Sequence, residues 1–114
     1  MAKIPKINSP AKGKRGELEM AAFFRERGFD DARRGQQFKG GPGSPDVVGI
    51  PGLHIECKRV ETLSLYSALA QACRDAGDTG SVPVVLHRRN GKQWVAILGA
   101  DDFLDIWKRS RELW

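Results

Sequence analysis

Scarcity narrows the class of this chain before any motif is considered. Two cysteines, Cys57 and Cys73, are too few for the disulfide framework of a small secreted domain, and no Cys-x-x-Cys pair offers a structural zinc site. Both are expected to be buried free thiols, Cys57 on the inward face of a strand and Cys73 in a helical apolar stripe. No apolar run approaches the roughly 20 residues that span a bilayer, and the basic N-terminus lacks the apolar centre of a signal peptide. The phosphate-cradling glycine loop, the nucleophile elbow and internal repeats are all missing. The two histidines, His54 and His87, are isolated, and His54 reads as a hydrogen-bonded surface residue rather than a ligand. A cytoplasmic protein without membrane contact or organic cofactor is expected.

Acidic residues are absent from the first fifteen positions, which hold Lys3, Lys6, Lys12, Lys14 and Arg15. These five account for the whole net charge of +5, because the remaining Lys and Arg balance the fourteen Asp and Glu. The pattern predicts a flexible basic arm over 1–15 ahead of a single domain over 16–114. Such an arm either contacts phosphates, with salt-dependent affinity, or serves only to solubilise. A chain of 114 residues with 40% apolar and 29% charged positions has room for one core.

What is present centres on Ser44-Pro45-Asp46-Val47-Val48-Gly49-Ile50, a turn at Pro51-Gly52, and Leu53-His54-Ile55-Glu56-Cys57-Lys58-Arg59-Val60. Side chains alternate along a strand, so Leu53, Ile55 and Cys57 share one face and His54, Glu56 and Lys58 the other. The turn folds the two runs together and is expected to bring Asp46 to the Glu56/Lys58 face. Two carboxylates beside a lysine provide hard oxygen ligands for Mg²⁺ and an ammonium that can orient a nucleophile or offset developing charge. A solvated cross-strand charge pair is the plainer account of Glu56 and Lys58.

Around this stretch, periodicity predicts a helix from Gly16 to Gly28 with Met20, Ala21 and Phe24 on its apolar face and Glu17 at the centre of that face. A carboxylate there must be neutralised, hydrogen-bonded or bound to a cation, or else it caps a helix N-terminus. A strand is expected over 33–38, then a Gly/Pro loop. A second helix runs from Thr62 or Ser64 to about Ala76, with Leu65, Leu69, Ala72, Cys73 and Ala76 as its stripe and Gln71 on the polar side. Strands over 82–87 and 93–98 flank the hairpin signal Asn90-Gly91, and Ala100-Asp101-Asp102 opens a last helix. In that helix Phe103, Leu104 and Trp107 share a side, and with Leu113 and Trp114 they read as core more than as interface. The order specifies an α/β domain with a mixed central sheet flanked by helices.

Pro45-Asp46 followed by Glu56-Cys57-Lys58 resembles the PD-(D/E)XK nuclease superfamily, and Ile55-Glu56-Cys57-Lys58 is most similar to its Holliday-junction resolvases and virus-type replication-repair nucleases. Gly16-Glu17-Leu18-Glu19 resembles the first-helix segment whose glutamate completes the site in those resolvases. The resemblance implies a restriction-endonuclease-like core and a Mg²⁺-dependent endonuclease, with Mn²⁺ able to substitute, that hydrolyses phosphodiesters in branched DNA. Glu17, Asp46, Glu56 and Lys58 would be catalytic; Asp46, Glu56, the Cys57 backbone carbonyl and Glu17 would hold the metal. Lys12, Lys14, Arg15, Gln37, Lys39, Arg59, Gln71, Arg88 and Arg89 are candidate DNA contacts. Symmetric cutting of a four-way junction implies a homodimer. A flap or nicking nuclease, and a catalytically silent DNA-binding protein of the same fold, are the alternatives.

Overall fold

The computed structural model of the chain describes residues 9–35 and 44–112, with side chains from position 13 onward. Helix α1 (Ser9–Arg25) leads to three strands, β1 (Arg33–Arg34), β2 (Val47–Val48) and β3 (Leu53–Arg59). Helix α2 (Leu65–Ala76), strands β4 (Val82–Arg88) and β5 (Val95–Ile97), and helix α3 (Ala100–Glu112) follow. The sheet order is β1-β2-β3-β4-β5, antiparallel except for the parallel β3/β4 pair. The parallel pair needs a crossover, and α2 supplies it. The fold is an α/β arrangement with a five-stranded mixed sheet and three helices.

The first helix begins seven residues earlier than Gly16, so residues 9–15 are its opening turns rather than an arm. Pro10 falls in the first turn, where a missing N–H costs nothing, and Ala11, Lys12, Lys14 and Arg15 favour helix enough to carry it through Gly13 and Gly16. Gly16 is buried because α1 crosses β3 closely: a Cβ there would lie 2.7 Å from the Arg59 Cβ. The helix ends at Arg25, three residues short of the expected Gly28, and a turn follows to that glycine, whose φ of 97° allows the Phe29 N–H to bond the Phe24 carbonyl at 3.1 Å and the Gly28 N–H that of Arg25 at 3.2 Å. The Phe24 and Phe29 rings then meet edge to face, centroids 5.7 Å apart.

The alternation of β3 sorts the molecule into two sides. Ile55 joins Val84 and Leu86 of β4, Val47 of β2, and Met20 and Ala21 of α1 in the main core, with Leu53 and Cys57 packed against it. The opposite side of the sheet is covered by α2 through Ala68, Ala72 and Val85. The Pro51-Gly52 turn closes with a Leu53 N–H to Ile50 carbonyl bond of 3.2 Å. At Asn90-Gly91 only the glycine takes a positive φ, 73°, so the link between β4 and β5 is longer than the two-residue hairpin expected.

Three side-chain expectations are corrected. Cys73 is exposed rather than buried, and Leu65 is exposed too: α2 is turned so that Ala68, Ala72 and Ala76 face the sheet. Alanines permit the closest approach to β3 and β4, which rotates the seam away from Leu65 and Cys73. Helix α3 buries none of its described residues; Phe103, Leu104 and Trp107 are about half exposed rather than core. His54 is buried, not a surface histidine. The positions 36–43, with Gln37, Lys39 and the second half of the 33–38 strand, and Leu113 and Trp114 lie outside the described residues. No described helix is long and apolar enough to cross a membrane.

Candidate active site

Four elements deliver carboxylates to one end of the sheet. Asp46, just before β2, is fixed by its backbone: its N–H bonds the Ile55 carbonyl and its carbonyl accepts the Gly35 N–H, both at 2.8 Å. Its side chain then reaches past the end of β2, where Oδ2 accepts the Cys57 N–H at 2.8 Å. The carboxylate thus continues the β2/β3 ladder one step beyond the strand. Strand alternation puts the Cys57 carbonyl on that same edge.

Glu56 points to the other side of β3 and is 4% exposed. Its Oε1 lies 2.9 Å from His54 Nε2, one step back along the same face. Burial first, then the charge and hydrogen bonding of Asp46, then those of Asp75, push the Glu56 carboxyl up to about 9. At neutral pH it therefore holds a proton that one of its carboxylate neighbours can accept. Burial lowers the His54 imidazole below its ordinary value, although the Asp75 and Asp46 charges pull the other way. The ligating atoms of His54, Glu56 and Asp75 lie within 4.8 Å of one another.

Glu17 comes from α1 and is 8% exposed. It is the ninth residue of the helix, so the capping reading is excluded. Burial and the Asp46 charge raise its pKa, and the Arg34 guanidinium, 3.4 Å away, partly offsets them. At that separation the two face each other as ions without a directed hydrogen bond, and Glu17 Oε1 has no hydrogen-bond partner.

Lys58 shares the face of Glu56, and its Nζ stands 3.5 Å from Gln71 Oε1 on α2. The polar-side residue Gln71 is exposed, yet the rotation of α2 brings it to the site's margin. Asp75, one turn further on α2, was not singled out by the sequence. Its signal was its spacing of four from Gln71, which puts both on one side of the helix once the helix orientation is known. Cys57 packs toward the core, where burial, then the Asp46, Glu17 and Glu19 charges, push its thiol up to about 12 against the opposing pull of Lys58.

The candidate DNA contacts are more dispersed. Arg59 and Arg88 are both held by Glu19 of α1, and Arg59 also donates to Asn90 Oδ1 at 3.0 Å. These two guanidiniums brace α1 against the C-terminal ends of β3 and β4. Arg89 is exposed beside His87, Lys92, Gln93 and Val95 in a surface depression. Lys14 and Arg15 are exposed on α1, and Lys12 lies in its opening turns.

The donor set suits a hard divalent cation. Glu17 and Glu56 are each coupled by charge to Asp46, while the donor atoms that converge within 4.8 Å among the described residues are those of His54, Glu56 and Asp75; ionising such carboxyls together calls for positive charge. Glu17 Oε1, ion-paired with Arg34 but without a directed hydrogen bond, keeps lone pairs that such an ion could use. Comparison with protein-family models, with curated proteins and with solved structures gives no match.

Proposed function

We infer that the chain is a metal-dependent endodeoxyribonuclease of the PD-(D/E)XK kind, with a restriction-endonuclease-like core, that hydrolyses phosphodiester bonds in branched DNA. The observation that carries this reading is the docking of Asp46 onto the Cys57 amide beside buried Glu56, with Glu17 close enough for its charge to couple to Asp46. A carboxylate group this expensive to bury is more readily explained by a ligand than by stability.

In this reading Asp46, Glu56, the Cys57 carbonyl and Glu17 would hold Mg²⁺ or Mn²⁺. The bound ion would supply Lewis-acid polarisation of the phosphate and a more acidic water. The Cys57 N–H keeps the Asp46 carboxylate in one orientation, and Arg34 holds Glu17 in place until a cation competes for it. His54 fixes the rotamer of Glu56 through the 2.9 Å contact. Lys58 contributes a compact charge at the rim, where Gln71 steadies it, suited to placing a water or offsetting charge on the phosphate in flight. Exposed Lys14, Arg15 and Arg89 supply phosphate contacts, which position DNA without reading sequence. Contacts of this kind favour recognition of shape, hence a junction.

Cleavage of a labelled four-way junction, beside linear duplex, flap and single strand, tests this. Symmetric junction nicks that need Mg²⁺ and are lost with chelator, Lys58→Ala or Glu56→Gln are the expected result. Cutting of flaps or plain duplex would retain the chemistry and change the substrate. A folded protein that binds DNA and cuts none of the four would overturn the enzyme reading.

A further inference from the structure

Helix α3 carries an apolar stripe that nothing covers among the described residues. Phe103 and Trp107 are each 54% exposed, Leu104 48% and Ile106 39%. Stepping about 100° per residue puts Phe103, Ile106, Trp107 and Ser110 in one row. Asp102, Asp105 and Arg109 border the row on one side; Asp101, Lys108 and Arg111, with Leu104, border it on the other.

The charges divide along the helix, Asp101, Asp102 and Asp105 in its first half and Lys108, Arg109 and Arg111 in its second, with Glu112 the one acid at the far end, on the side away from the stripe. Asp101 and Asp102 in the first turn and Arg109 and Arg111 in the last complement the helix dipole, which accounts for their ends. It does not account for a large apolar stripe left in water. The two features together describe a surface complementary to itself. In an antiparallel pair related by a two-fold axis, each border meets its own copy running the opposite way. Asp102 and Asp105 then face Arg109 of the partner helix, and Asp101 faces Lys108 and Arg111. A parallel pair would set acid against acid at one end and base against base at the other.

We propose that α3 is a self-association helix, pairing antiparallel with α3 of a second copy of this chain through Phe103, Ile106 and Trp107. This rests on α3 alone; the junction-cutting reading needs a homodimer but no particular interface, so charge-changed chains separate failure of this interface from failure of that reading. A helix of this length, about 20 Å, makes an interface at the small end of the stable range, so the dimer is reversible.

Sedimentation velocity on the full chain is the test. The expected result is twice the monomer mass at high concentration, halving on dilution. Phe103→Ser with Trp107→Ser should give a monomer with unchanged circular dichroism. The geometry is tested by two charge-changed chains, one with Asp101, Asp102 and Asp105 replaced by Lys, the other with Lys108, Arg109 and Arg111 replaced by Glu. Each alone should be monomeric, and an equimolar mixture should restore the dimer. A wild-type chain that stays monomeric at every concentration overturns the proposal. So does a dimer that survives in each charge-changed chain alone, or a mixture that fails to pair.

Discussion

Glu56 links stability, pH and metal through one proton. In the unfolded chain its carboxyl ionises near 4.5, whereas in the fold it keeps its proton to about 9. Between those values the folded state binds the extra proton, so raising the pH costs stability, and the loss is complete above about 9. The metal-free protein should therefore show a lower urea midpoint at pH 9 than at pH 6, and Glu56→Gln should remove that contribution. A cation bound through Glu56, as proposed, would displace the same proton, so Mn²⁺ affinity measured by calorimetry should strengthen about tenfold per pH unit up to that value. Asp75 raises the Glu56 pKa by its charge and its hydrogen bond. Asp75→Asn should accordingly move the Mn²⁺ affinity profile toward lower pH, while Cys73→Ser, on the exposed side of the same helix, should leave it in place.

The packing of α1 on β3 makes two glycines of one helix respond in opposite directions. Gly16→Val places branched carbon against Arg59 at a point where even a Cβ is 2.7 Å away, and should cost about 1–3 kcal/mol of unfolding free energy. Gly13, three residues earlier, has open space around it, and Gly13→Ala should stabilise by up to about 1 kcal/mol. Urea titration of the pair checks both signs. The two-sided character of β3 was legible in the sequence because period-two alternation leaves only one way to bury Ile55, and the burial of Glu17 followed from its place among Met20, Ala21 and Phe24. Helix α2 was misread because alanine, the residue that decides its orientation, has little hydrophobic weight of its own. The pattern favoured Leu65 and Cys73 over Ala68, and with that error Asp75 passed unnoticed. Helix α3 was misassigned for another reason: an apolar stripe states that something covers it, and a single chain does not state what.

At the scale of the whole molecule, the charge surplus lies in residues 1–15, of which 9–15 are helical. Lys12, Lys14 and Arg15 thus ride on a rigid element anchored by Met20 and Ala21 rather than on a free tail. If they meet phosphates, replacing all three by alanine should lower the slope of log affinity against log salt by about 2–3 for duplex DNA. Fluorescence anisotropy across a salt series measures that slope; an unchanged value would leave these side chains off the DNA. The site is likewise a property of the whole, since Glu17, Asp46, Glu56 and Asp75 come from four segments spread over half the chain.

The Cys57 amide lies where one hydrogen bond of the sheet is made by a side chain instead of a neighbouring strand. Its proton is therefore a built-in spectroscopic gauge. In a ¹⁵N-labelled sample its chemical shift follows the Asp46 carboxylate to which it is bonded, and paramagnetic Mn²⁺ at that carboxylate would broaden this resonance before those of β5. The occupancy of the centre can thus be read from a single backbone nucleus, without substrate, without turnover and without altering any residue.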